Sequence, residues 1–118
     1  ALLPLSTAIN CHDGEGVYEG TTLVEQKRNV SSCEQSTRFC YLAERIFHGK
    51  SSPPKLFMKC ADNFCQKDGC GEVFDDKRRM TVNYCCCSTD LCNESLATAI
   101  KSIPLTSSIF NLESKISG

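Results

Sequence analysis

The run Asn83-Tyr84-Cys85-Cys86-Cys87-Ser88-Thr89-Asp90-Leu91-Cys92-Asn93 carries the strongest structural signal in this chain. Three adjacent cysteines can hardly ligate one tetrahedral metal ion, but they can pair with other cysteines in three directions. The chain has no CxxC motif, and its two histidines, His12 and His48, lie outside the cysteine clusters. Structural zinc sites usually require such motifs, so the pattern favours disulfides and no metal is expected.

Cysteine is abundant along the whole chain, with ten cysteines among 118 residues and no tryptophan. This density is typical of secreted or cell-surface domains and rare in the cytosol. Few other apolar residues remain for a core, so disulfides are expected to stabilise the fold. The net charge of −1 argues against the basic surface that nucleic-acid binding requires. No stretch of this sequence is long and apolar enough to span a membrane.

The positions of the cysteines divide the chain into three segments. These segments are 1–10 before the first cysteine, 11–93 with all ten, and 94–118 with none. The first is interpreted as a terminal tail or the remainder of a signal peptide, outside the fold. In the last, Leu96, Ile100 and Ile103 have helical spacing that Pro104 ends. The third segment is therefore interpreted as a linker or juxtamembrane stalk with weak local helicity.

Three cysteine-free excursions of roughly 15 to 22 residues separate the cysteine clusters, a length that suits β-hairpins. The β-rich stretches are 17–24 in the first excursion, 39–43 and 55–59 in the second, and 71–74 and 80–84 in the third. Gly20, Gly49 and Pro53 lie where the chain must turn. The sequence therefore predicts a small, disulfide-rich, all-β domain with three antiparallel hairpins projecting from a disulfide-linked base. Composition alone does not choose among the possible cysteine pairings.

Two N-x-S/T sequons are present, at Asn29-Val30-Ser31 and Asn93-Glu94-Ser95. In a secreted protein each would place a glycan on an exposed loop. We therefore predict glycosylation at one or both of Asn29 and Asn93.

Binding is a better interpretation of this sequence than catalysis. A nucleophilic site needs a histidine held in a pocket, but His48 lies in a Gly/Ser/Pro-rich turn and the cysteines are expected to be paired. Asp75 and Asp76 fall on a predicted hairpin tip rather than in a cleft. No enzymatic activity and no cofactor are expected. The candidate binding residues are Phe39, Tyr41, Phe57 and Tyr84, supported by Ile46, Phe47, Leu56 and Met58. About half of these must face the core, because side chains alternate along a strand.

The cysteine pattern resembles that of a known receptor family. The run from Cys85 to Asn93, preceded by Cys60, Cys65 and Cys70 at intervals of five, is similar to the closing signature of type II serine/threonine-kinase receptors of the transforming growth factor β superfamily. Activin and bone morphogenetic protein type II receptors are the most similar, and the resemblance covers residues 11–93. It implies a three-finger, snake-toxin-like fold. The pairs it implies are Cys11–Cys40, Cys33–Cys60, Cys65–Cys86, Cys70–Cys85 and Cys87–Cys92.

The resemblance also implies a ligand-binding face. In the family this face has an aromatic residue after the third cysteine, a tryptophan after the fourth and an aromatic residue before the triplet. Here those positions hold Tyr41, Ala61 and Tyr84. Losing a central tryptophan removes a large contact, so we expect Phe57, Met58 or Phe64 to refill the patch, or the ligands to differ. A divergent member, such as an invertebrate one, would show this change.

By resemblance, the chain is the ectodomain of a single-pass receptor at the extracellular face of the plasma membrane. It would bind a dimeric cystine-knot growth factor and assemble with a type I receptor. The membrane helix and the kinase of such a receptor would follow Gly118, so phosphoryl transfer would not belong to this chain. Two alternatives stay open. One is a secreted or lipid-anchored three-finger protein of the urokinase-receptor or toxin type, and the other is a secreted decoy or enzyme inhibitor.

Overall fold

A computed structural model of the protein describes residues 8–49, 52–61 and 63–103. The strands are β1 (Asn10–Glu19), β2 (Thr22–Ser32), β3 (Phe39–Phe47), β4 (Lys55–Ala61), β5 (Gly69–Asp75) and β6 (Met80–Cys87). A single 3₁₀ turn at Cys92–Glu94 and the helix α1 (Leu96–Ser102) follow them. The predicted class, a small all-β domain rich in disulfides, is confirmed apart from this short helix.

Six strands form one antiparallel sheet in the order β2-β1-β4-β3-β6-β5. Consecutive strands pair as the hairpins β1–β2, β3–β4 and β5–β6, which are the three hairpins that the cysteine-free excursions predict. Gly20 turns the first hairpin with a φ of +65°, a conformation that glycine adopts without strain. At the tip of the third hairpin, Oδ1 of Asp75 accepts hydrogen bonds from the backbone N–H groups of Lys77 and Arg78.

Five disulfides join the bases of the hairpins and involve all ten cysteines. They are Cys11–Cys40, Cys33–Cys60, Cys65–Cys86, Cys70–Cys85 and Cys87–Cys92, the pairs that the resemblance implies. Four of them close loops of 15 to 29 residues, so each is expected to stabilise the fold by about 2–4 kcal/mol. The cysteines therefore supply much of what the small apolar core cannot.

The sheet buries most of its apolar side chains on one face. Leu42, Leu56 and Met58 form a cluster there with almost no exposure to solvent. Next to it, Ala99 of the helix α1 and Ile103, the residue after the helix, cover the disulfides. On the opposite face, no helix or strand packs over the sheet in the part of the chain that is described, and the loop after β4 packs on Ala61 and Cys86 through Cys65.

The packed unit is larger than the predicted segment 11–93. Ile9, Ala99 and Ile103 are all buried in the cluster that contains the disulfides. The helical spacing near the end of the chain is confirmed, and Oγ of Ser95 caps α1 by accepting a hydrogen bond from the N–H of Thr98. Residues 94–103, which the sequence assigns to a stalk, instead pack against the disulfides through the buried Ala99 and Ile103. The rest of the predicted stalk, 104–118, and the tail residues 1–7 lie outside the described residues.

Within the described part of the chain, no helix has the length and apolar character needed to cross a membrane.

Candidate binding face

Tyr41 and Tyr84 lie side by side on the face of the sheet opposite to the helix α1. Tyr41 in β3 pairs with Cys86 of β6, and Tyr84 of β6 pairs with Ala43 of β3, so the two tyrosines are diagonal neighbours. Their ring centroids are 6.3 Å apart and their planes are inclined by 26°. Both side chains are partly exposed. Two of the three positions that the resemblance assigns to a ligand face are therefore adjacent and accessible.

Ala61, the third of these positions, is not accessible. It is only 1% exposed and packs with Cys65 and Cys86 beneath the tyrosines. Phe64, three residues later in the loop after β4, places its ring 5.3 Å from the ring of Tyr41 and is 58% exposed. A phenylalanine from the loop thus provides the aromatic surface that Ala61 cannot, whereas Ala61 forms the floor below it.

Phe57 and Met58 are separated by the sheet. Phe57 pairs with Ala43 and is partly exposed on the same face as the tyrosines. Met58 is fully buried with Leu42 and Leu56 on the other face, because successive side chains of a strand point in opposite directions. The predicted role of Met58 in binding is therefore wrong, and Leu56 is excluded as a supporting contact for the same reason. We use the name aromatic face for Tyr41, Phe57, Phe64 and Tyr84.

A glycine positions the ring of Tyr84. Gly71 in β5 lies directly opposite Tyr84, and a Cβ atom at Gly71 would come within 2.7 Å of the tyrosine hydroxyl oxygen. On its other side Tyr84 pairs with Ala43, another small residue. The ring can therefore lie across β5. Nothing in the sequence analysis singled out Gly71, although its position on the strand before the cysteine triplet is a usable signal.

Two cations are stacked on the aromatic face. Nζ of Lys59 lies 4.5 Å from the ring centroid of Phe64 and 5.8 Å from that of Phe57, and Cζ of Arg45 lies 5.2 Å from the Phe57 centroid. These distances are within the range of cation–π attraction. Burial raises the pKa of Tyr41, an effect that Arg45 partly opposes and Tyr84 reinforces, so its hydroxyl is uncharged at neutral pH. The face thus combines uncharged aromatic rings with positive charge, and the sequence analysis missed both cations.

Asn93 has a structural role that conflicts with its predicted glycosylation. Its side chain is completely buried. Its Nδ2 atom, to which a glycan would be attached, donates hydrogen bonds to the backbone oxygens of His12 and Tyr41. A glycan cannot occupy this position in the folded protein, so the structure contradicts the prediction at Asn93. Asn29 is exposed, but it lies in the edge strand β2 rather than in a loop.

The sulfur atoms of Cys11, Cys33 and Cys60 lie within 4.8 Å of one another, the separation expected of metal ligands. All three are disulfide-bonded, to Cys40 in the case of Cys11 and to each other in the case of Cys33 and Cys60. Since zinc binds the thiolate, these sulfurs are not available as ligands.

Comparison of the chain with protein-family models, curated proteins and solved structures gives no match.

Proposed function

We propose that this chain is the ligand-binding ectodomain of a type II serine/threonine-kinase receptor of the transforming growth factor β superfamily, with the three-finger fold. In this proposal the aromatic face binds a dimeric cystine-knot growth factor outside the cell. The cysteine signature between Cys60 and Asn93 supports the family, and the adjacency of Tyr41 and Tyr84 is the observation that supports the binding face.

The physical properties of the face suit a protein partner. Aromatic side chains bury about 150–250 Å² each and dominate many protein interfaces. Here the four rings are carried on one sheet face and its adjoining loop, close to three of the disulfides. A rigid binding face loses little conformational entropy when it associates, so more of the contact energy appears as affinity.

Signalling would arise by assembly rather than by chemistry in this chain. The growth factor has two identical halves, so one dimer can hold several receptor chains together. A type I receptor bound to the same dimer would bring its kinase beside that of the type II receptor inside the cell. Membrane attachment and the kinase would be supplied by sequence after Gly118. A reading frame that continues past Gly118 and encodes an apolar segment and a kinase signature would support the receptor assignment.

Binding kinetics on immobilised growth factors provide the test. The protein should bind at least one member of a panel of activin-like and bone morphogenetic protein-like dimers. Tyr41→Ala and Tyr84→Ala should each weaken that binding by at least about tenfold, as expected for central aromatic contacts. Phe74→Ala is a matched control, because Phe74 is 53% exposed but pairs with Thr81 and therefore faces away from Tyr84. Unchanged affinity of both tyrosine variants, with an intact fold, would exclude the aromatic face.

If the protein binds none of the dimers in the panel, the receptor assignment is contradicted. Capture of a different cell-surface protein through the same tyrosines would then favour the alternative three-finger class.

A further inference from the structure

The aromatic face has an uneven distribution of charge. The residues of β3, β4 and β6 that share the face with Tyr41 and Tyr84 include the cations Arg45, Lys55 and Lys59 and no carboxylate. Glu44 of β3 points to the other face, where it accepts a hydrogen bond from the hydroxyl of Tyr18. Strands β3, β4 and β6 therefore contribute three positive charges to the face, and Glu15 of the adjoining β1 contributes one negative charge beside Phe57.

Within the described part of the chain, no carboxylate oxygen lies within 4 Å of a charged nitrogen of Lys59 or Arg45. The ion pair at the tip of the third hairpin, between Nε of Arg78 and Oδ2 of Asp75, involves neither cation. Glu15 of β1 pairs with Phe57, and Asp13 and Glu34 line the same surface hollow as Lys59, but none of these described carboxylates lies within 4 Å of either cation. The two cations contact aromatic rings instead, which limits the freedom of their long side chains. Their positive charges remain available to a binding partner.

We propose that Lys59 and Arg45 determine which growth factors bind, by selecting a docking surface in which carboxylates surround an apolar centre. This inference rests on the proposed function. A surface with aspartate or glutamate at its rim would be attracted to the two cations and would associate faster. A surface with lysine or arginine at its rim would meet like charges, whose repulsion disfavours binding. Because the cations are already held against Phe57 and Phe64, less entropy is lost when they bind a carboxylate.

Charge reversal tests the inference. Association and dissociation rates would be measured for the full panel of dimers at low and at high NaCl concentration, with Lys59→Glu, Arg45→Glu and the neutral variant Lys59→Gln. For dimers with an acidic docking surface, each reversal should lower the association rate by about tenfold, and the wild-type rate should fall as salt rises. Lys59→Gln should have a smaller effect of the same sign.

Lys77→Glu is the control, since Lys77 is exposed at the hairpin tip and the substitution changes the net charge equally. An equal loss in Lys77→Glu would mean that only the net charge matters and would overturn the inference. The inference would also be overturned if the charge reversals left the association rates unchanged. The same holds if the affinity of the dimers increased with the basic rather than the acidic character of their docking surfaces. In those cases a loss of binding in Tyr41→Ala would still support the proposed function. If the wild-type protein binds no dimer, both proposals fail.

Discussion

Both polar atoms of the Asn93 side chain are bonded to the backbone of His12. Oδ1 of Asn93 accepts a hydrogen bond of 2.8 Å from the N–H of His12, and Nδ2 donates one of 2.9 Å to its carbonyl oxygen. The same Nδ2 donates to the carbonyl oxygen of Tyr41, also at 2.9 Å. The amide therefore pairs with β1 as a neighbouring strand would. It connects the chain after the last cysteine both to β1 and to the strand that carries Tyr41.

Replacing Asn93 by alanine is predicted to destabilise the protein strongly. The substitution removes three hydrogen bonds and leaves one N–H and two carbonyl groups of the backbone without their partner. We expect the free energy of unfolding to fall by about 2–4 kcal/mol. Asn93→Asp should be similarly harmful, since an ionised carboxylate cannot donate to the two carbonyl oxygens. Guanidinium unfolding with the disulfides intact measures the change, and Asn63→Ala at an exposed position is the control. An unfolding midpoint of Asn93→Ala equal to that of the wild type would contradict the structural role.

Glycosylation is predicted at Asn29 and not at Asn93. When the chain is secreted from eukaryotic cells, the exposed amide of Asn29 is open to the modifying enzyme, whereas folding buries that of Asn93. A glycan on β2 would also shield a long edge strand from pairing with another chain. Mass spectrometry of the secreted, folded protein should find one glycan, lost in Asn29→Gln and in Ser31→Ala but kept in Ser95→Ala. A glycan on Asn93 in that material would show that its amide is not buried.

The hairpins could be predicted from the sequence because their signals are local. Gly20 favours a turn, β-rich stretches flank the turns, and the cysteine-free excursions have the length of a hairpin. The burial of Asn93 could not be predicted in this way, since a sequon has the same letters in a loop and in a core. A usable signal was its place directly after Cys92, whose disulfide to Cys87 fixes the backbone there.

The other features that the sequence did not predict depend on contacts between distant parts of the chain. Phe57 and Met58 are consecutive apolar residues, so their pattern does not show which of them faces the core; the register of β4 against β3 decides this. Ile9 and Ala99 come from opposite ends of the described chain and meet over the disulfides. Phe64 contacts Tyr41 because of the loop conformation after β4, which no periodicity reveals.

Gly71→Ala is predicted to weaken growth-factor binding through Tyr84. The added methyl group would occupy the space of the tyrosine ring, and the ring would have to swing away from β5. The far end of a half-exposed side chain can move, so the free energy of unfolding should change by less than about 1 kcal/mol. The affinity should fall toward that of Tyr84→Ala.

A double-mutant cycle separates this effect from a general disturbance of β5. In the Tyr84→Ala background, adding Gly71→Ala should cause no further loss of affinity, because the ring that it displaces is already absent. Additive losses would mean that Gly71 contributes to binding in another way.

The stability of the protein is predicted to decrease in mildly acidic solution because of His12. Burial lowers the pKa of His12 below 6.5, and the charge of Arg28 lowers it further, with partial opposition from Glu94. Nδ1 of His12 and Nε of Arg28 are both buried, and neither has a hydrogen-bond partner among the described residues. Protonation of His12 would place a second cation beside the guanidinium of Arg28. The unfolded chain takes up this proton more readily than the folded one. The contribution of neutral His12 is therefore complete above pH 6.5 and is lost as the pH falls below that value.

Unfolding by guanidinium at a series of pH values between 5 and 8 tests this sign. The slope of stability against pH should be smaller in His12→Gln than in the wild type, since glutamine has no proton to gain in this range. Asn63→Ala, at an exposed position without a titratable group, is the control and should keep the wild-type slope. If His12→Gln retained the full slope, the acid sensitivity would not originate beside Arg28.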